Sequence, residues 1–145
     1  MYSRILVTLE HSAADASILA HVRRLAKHCG ASVVLVHVAD GFVARNVKTL
    51  DLRESEEIRG DRAYIEQCRA ELAADGIPTE AVRASGDPSA EIVAAAEREH
   101  VDLIAMATHG HRFLNDLVRG SVANQVRHAS YVPVLLVRTP PPAPR

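Results

Sequence analysis

Four short stretches of this 145-residue chain are apolar almost without a break: Ile5-Leu6-Val7, Val33-Val34-Leu35-Val36, Leu103-Ile104-Ala105-Met106-Ala107 and Val134-Leu135-Leu136-Val137. Runs without alternation are expected of strands buried on both faces, which occur in parallel sheets covered by helices. Between the first two runs the period changes to that of a helix. Ile18, Val22, Leu25 and Cys29 mark one face from Ala13 onward, with Leu19 and Ala26 beside it. Arg23, Arg24 and Lys27 fall in the second half of this helix, where cations suit its dipole, and Gly30 stops it. A strand at residues 4–9, a helix and a strand at 32–38 make a βαβ unit, whose crossover is nearly always right-handed.

The rest of the chain repeats this alternation. Residues 39–50, with Gly41, Arg45, Asn46 and Lys48, show no period and read as a long irregular connection. A charged helix is expected over 51–74, burying Ile58, Ile65, Cys68 and Leu72, with Gly76 after it. Ile77-Pro78 leads into a weaker strand at 79–84, suited to a sheet edge. In Gly86-Asp87-Pro88-Ser89, Asp87 is an N-cap and Pro88 a first helical residue, opening a helix over 88–99 that buries Ile92, Val93 and Ala96. A strand at 102–107, a helix at 120–128 with Val122, Val126 and Ala129 inward, and a strand at 132–137 complete the pattern. Pro133 costs little at the start of that last strand. The absence of a repeat or linker predicts one α/β domain over residues 1–138, followed by a Pro-rich tail at 139–145. Five strands alternating with four helices predict a five-stranded parallel sheet in the order 3-2-1-4-5, with helices on both faces.

Composition narrows the function classes. Hydrophobic residues make up 48% of the chain and charged residues 24%, as in an ordinary soluble domain. Aromatic residues are only 3%, which disfavours a stacking platform for single-stranded nucleic acid. The formal net charge of −1, with both signs interspersed, leaves no electrostatic footprint for DNA or acidic membranes. The apolar runs fall far short of a membrane span, and Met1-Tyr2-Ser3-Arg4 leads straight into a strand, so a cytoplasmic location is expected. Cys29 and Cys68 lie in helical patterns and read as reduced core residues.

In the 3-2-1-4-5 order the chain reverses direction between strands 1 and 4, and ligands bind outside the carboxyl ends at such a switch point. Those ends carry Glu10-His11-Ser12 and the stretch from Ala107 to Ser121. Within that stretch Gly110 and Gly120 allow close backbone approach, and Gly120-Ser121 is expected to open a helix, with Ser121 as its cap. A loop rich in exposed N–H groups before a helix suits an anion, so a phosphate-bearing small molecule is favoured. The simpler reading, that both glycines only end secondary structure, stands beside it.

The residues Ala107-x2-Gly110-x9-Gly120-Ser121, with Val122 and the later Val132-Pro133-Val134-Leu135-Leu136-Val137, resemble the universal stress protein family. The nucleotide-binding branch of that family carries Gly-x2-Gly-x9-Gly-Ser/Thr at this place. Ile5-Leu6-Val7 before an acidic residue and Ser12, Leu35-Val36-His37-Val38, Gly86-Asp87-Pro88 and Asp102-Leu103-Ile104 also fit. The resemblance implies an adenine nucleotide alpha hydrolase-like fold and a nucleotide site made of Leu9, Glu10, Ser12, Val38, Met106, Ala107, His109, Gly110, His111, Arg112, Gly120, Ser121 and Val122. Glu10 would face the ribose, Val38 and Met106 would flank adenine, and the loop with Gly120-Ser121-Val122 would hold the phosphates. The ligand implied is ATP, with or without Mg²⁺; Asp116 most simply shapes the turn and would help to place that ion where a nucleotide is bound. A homodimer through the last strand, residues 132–137, and a role in stress response are implied as well.

The chain departs from the family pattern at two positions. Ala107 replaces the motif's first glycine, adding a methyl group where nucleotide and backbone approach. Glu10 replaces the usual aspartate, adding a methylene at the ribose. An alternative is therefore a nucleotide-free dimeric interaction protein of the same fold. A slow ATP hydrolase is a further one, but no Gly-x4-Gly-Lys-Ser/Thr loop or clear base supports rapid turnover. No catalytic residue is assigned: the chain lacks a Gly-x-Ser-x-Gly elbow, and Ser12 and Ser121 suit caps better. His109, His111 and His11 lack the carboxylate or thiol spacing of a metal centre, so no metal ligands are assigned. His37 reads as a hydrogen-bonded structural histidine.

Overall fold

The computed structural model describes residues 1–40, 52–108 and 116–140, with side-chain surroundings for all of these except 40, 52–58 and 116–121. The elements run β1 (Arg4–Thr8), α1 (Ala14–Cys29), β2 (Ser32–Asp40), α2 (Leu52–Ala74), β3 (Thr79–Gly86), α3 (Pro88–Arg98), β4 (Leu103–Thr108), α4 (Asp116–Ala129) and β5 (Val134–Arg138). The sheet order is β3-β2-β1-β4-β5, and each described pairing is parallel. This is the α/β architecture that the apolar runs require.

Strand β1 lies at the centre. Leu6 registers with Val34 on one side and Ile104 on the other, and all three are fully buried. Alternate residues of each strand feed two cores. On one face Ile5, Val7, Val33, Leu35 and Ala105 pack with Ile18 and Val22 of α1 and Ile65, Cys68 and Leu72 of α2. On the other face Leu6, Val34, Val36, Ile104 and Met106 pack with Ile92, Ala95 and Ala96 of α3 and Ala123 and Val126 of α4. Burying each Val, Leu or Ile side chain stabilises the fold by about 1.5–3 kcal/mol before entropy is counted. Where side chains are described the expected inward faces hold with two changes: Ala95 is buried in α3, and in α4 Ala123 is buried while Ala129 is exposed; the expected burial of Ile58 lies outside the described side chains. Ala129 closes the helix, where the chain turns outward toward β5.

The helix ends follow local chemistry. Gly30 ends α1 in the left-handed conformation, at φ 67°. Asp87 caps α3, accepting from the Ala90 N–H at 3.0 Å with Pro88 in the first turn. That bond, with one from the Ser89 hydroxyl, lowers the Asp87 carboxyl below its ordinary value. Helix α4 differs from expectation. It starts at Asp116, so Gly120 and Ser121 lie in its second turn and Ser121 is not its cap. Asp116 suits a first turn, and the spacing Val118, Val122, Val126 continues the apolar period backward past Gly120.

The amino ends of β1 and β4 are joined by polar contacts. Asp102 accepts from the Ser3 N–H at 2.9 Å, the Ser3 hydroxyl at 3.0 Å and the Arg4 N–H at 3.0 Å. Arg4 reaches Glu99 at 3.0 Å and Glu80 at 3.2 Å. Burial by itself would raise the Asp102 carboxyl, but the three hydrogen bonds outweigh it and hold the group below its ordinary value of 3.8. A depressed carboxyl contributes stability above its unfolded value and loses it as pH falls through the folded one. Asp102→Asn is therefore expected to cost about 1–3 kcal/mol in urea denaturation at pH 7. The gap to the parent should close as pH falls below 3.8.

Candidate functional site

The carboxyl ends of the strands form a cavity of about 250 Å³. Strand β1 supplies Thr8 and is followed there by Leu9 and Glu10. Strand β2 supplies Val36, His37 and Val38, and β4 supplies Met106 and Ala107. Pro88 and Ile92 of α3 and Val122 of α4 complete the wall. Val38 and Met106 stand on strands either side of β1, both on the sheet face that α3 and α4 cover. The cavity is thus an apolar slot with a carboxylate at one side.

Of the residues expected here, Leu9, Glu10, Val38, Met106, Ala107 and Val122 line this one cavity. Ser12 stands beside it, its hydroxyl donating to Glu10 Oε2 at 3.2 Å. Gly120 and Ser121 belong to α4, the helix that supplies Val122. His109, Gly110, His111 and Arg112 lie outside the described residues. His37 is hydrogen-bonded as expected: its Nδ1 is 2.9 Å from the Leu9 carbonyl, which can only accept, so Nδ1 carries the hydrogen. The sequence reading did not include it, Thr8, Val36, Pro88 or Ile92 in the lining.

The loop bearing Glu10 is held by a residue the sequence reading missed. Asp15, only 1% exposed, accepts from the Glu10 N–H and the His11 N–H, each at 2.9 Å. The Tyr64 hydroxyl of α2 donates to the same carboxylate at 2.6 Å. A buried carboxylate needs this number of donors, because an unpaired buried charge is costly. The missed signal is Ser12-x-x-Asp15 before an apolar period, the spacing in which the side chains at either end serve a helix start. Here the Ala14 N–H donates to Ser12 Oγ at 3.3 Å, while Asp15 turns back onto the loop. His11 adopts φ 61°, which strains a side chain and is held by these bonds. Its ring stacks on Tyr64 with centroids 4.1 Å apart. Burial and then the neighbouring Asp15 push the Tyr64 phenol well above its ordinary value of 10.0. Burial likewise raises the nearby Cys68 thiol, so it stays protonated in the core at neutral pH. Both cysteines are free.

Among the described residues no group of three His, Cys, Asp or Glu side chains is placed to hold a metal ion. No helix among them is long and apolar enough to cross a membrane.

A parallel sheet in the order 3-2-1-4-5, with helices on both faces and a slot at its switch point, defines an α/β protein of the doubly wound class. The chain belongs to the universal stress protein family, whose model matches residues 1–138. It is 28% identical to the universal stress protein YxiE of Bacillus subtilis, over 95% of this chain and 100% of that protein. It is 29% identical to the universal stress protein MJ0577 of Methanocaldococcus jannaschii, over 95% of this chain and 96% of that one. The solved structure of MJ0577 superposes with a TM-score of 0.80 over 97% of this chain and 99% of its own. A universal stress protein from Archaeoglobus fulgidus, solved in complex with dAMP, shares the fold with a TM-score of 0.69 at 21% identity, covering 94% and 98% of the two chains.

Tyr64→Phe removes one charge-assisted bond while leaving the ring in place. It is expected to lower stability in urea by about 1.5–3 kcal/mol at pH 7. A raised group contributes below its unfolded value and loses its contribution as pH rises. The difference between parent and variant should therefore shrink above pH 10.0.

Proposed function

We propose that this chain binds an adenine nucleotide, ATP, in the cavity at the carboxyl ends of β1, β2 and β4, and acts as a sensor or regulator in stress response. The observation that carries the reading is the slot itself: Val38 and Met106 on either side, Ala107 and Val122 further along, and the Glu10 carboxylate at its edge. A flat purine suits an apolar slot, and an ionised carboxylate accepts hydrogen bonds from ribose hydroxyls. At about 250 Å³ the slot matches a nucleoside better than a whole triphosphate. In this reading the phosphates extend from the slot toward His109, Gly110, His111, Arg112 and Gly120-Ser121-Val122, with Mg²⁺ accompanying them. Proteins of this fold are described in complex with dAMP and with cAMP, which supports an adenine nucleotide as the class of ligand.

Ala107 favours the second reading, a nucleotide-free interaction protein, because it lines the slot at the position where the family motif has glycine. In the nucleotide-bound reading turnover is at most slow, because the chain has no lysine-bearing phosphate loop. We assign the binding domain to residues 1–138, with 139–145 as a tail, in a cytoplasmic protein that binds neither nucleic acid nor membrane.

Calorimetric titration with Mg-ATP separates these readings. The parent should bind, Ala107→Gly should bind more tightly, and Glu10→Ala should lose about 1–3 kcal/mol of binding energy. Gly120→Val should weaken binding by blocking backbone approach. Absence of heat and of any melting shift at millimolar ATP rejects the binding reading.

We further propose a homodimer through β5. This strand ends the sheet, and an edge strand presents unpaired N–H and C=O groups. Leu136 is 45% exposed on it, and a two-fold copy pairing edge to edge would cover that side chain. Sedimentation should give a dimer at micromolar concentration. Leu135→Pro, which removes a ladder donor, should give a monomer. A parent that stays monomeric contradicts the pairing, and a dimer indifferent to Leu135→Pro moves the interface elsewhere.

A further inference from the structure

Among the described side chains of helix α2, Asp61 brings a carboxylate to the rim of the cavity. Its Oδ1 lies 2.5 Å from His11 Nδ1, and its Oδ2 lies 3.4 Å from His37 Nε2. These histidines stand on either side of the loop that carries Glu10. His37 lines the cavity and holds the Leu9 carbonyl through its other nitrogen, and His11 follows Glu10 directly. The main chain between them is bonded at each step. The Leu9 N–H donates to the Val36 carbonyl at 2.8 Å, and Glu10 and His11 donate to Asp15.

We propose that Asp61 is a positioning residue of the cavity: by accepting from the His11 ring it fixes the loop from which Glu10 meets the ligand. Asp61 is not itself among the residues that line the slot, and its effect passes through His11. The proposal rests on the nucleotide-binding reading for its ligand and on the loop geometry alone for its mechanism. Asparagine keeps an acceptor oxygen for the His11 N–H without the charge, and alanine keeps none. Placement and charge are thereby separable.

Two measurements on the full chain test this. In Mg-ATP titration, Asp61→Ala should bind about tenfold more weakly than the parent, about the effect of one misplaced hydrogen-bonding group. Asp61→Asn should recover most of that loss. In amide hydrogen exchange without ligand, Glu10 and His11 should exchange faster in Asp61→Ala than in the parent, with Val22 and Leu72 unchanged. Parent-like affinity in Asp61→Ala overturns the proposal, and so does an Asp61→Asn as weak as Asp61→Ala, which would assign the effect to charge. If the parent itself binds no ATP, the nucleotide reading fails and the exchange result alone decides: unchanged Glu10 and His11 exchange then refutes the placement role.

Discussion

The structure depends on one constraint, the pairing of β1 on both sides in a parallel sheet. A strand hydrogen-bonded on both edges and covered on both faces must be apolar throughout, and Ile5, Leu6 and Val7 are fully buried. Parallel neighbours also forbid hairpins, so each connection must cross the sheet and return. The strand ends of like polarity therefore gather on one side, and the chain reverses direction at β1. The cavity lies there because two crossovers leave β1 and β4 toward opposite faces and part above the sheet.

The same constraint explains why the fold was legible in the amino-acid sequence. Uninterrupted apolar runs at Val33-Val34-Leu35-Val36 and Leu103 to Ala107 allow little besides doubly covered strands, and Gly30 and Asp87-Pro88 mark helix ends by local chemistry. The start of α4 was less legible. Two glycines and a serine suggest a helix beginning at Gly120, whereas the apolar period through Val118 carries the helix back to Asp116. Glycine inside a helix costs about 1 kcal/mol, and Ala123 and Val126 packed on the sheet offset that local preference.

The candidate site divides in the same way. Residues at strand ends, Glu10, Val38, Met106 and Ala107, follow from topology once the strand order is known, and they line one slot. The apparatus behind them does not follow. Tyr64 and Asp61 meet Asp15 and the β1 loop only because α2 crosses the face that carries His37, contacts between residues up to 50 positions apart. Periodicity reports which face of a helix is buried; it does not report which polar side chain on its border reaches a distant loop. The Ser12-x-x-Asp15 spacing was the one local clue.

The central claim is that the slot between Val38 and Met106 is where this universal stress protein takes an adenine nucleotide. Methyl-resolved NMR during addition of Mg-ATP tests it without altering the chain. The account predicts shifts of the Met106, Val38 and Val122 methyl resonances that saturate together, while Leu72 and Ile77, buried on the opposite face, stay in place. Saturating shifts confined to methyl groups away from the slot, or none at millimolar ATP, would contradict it.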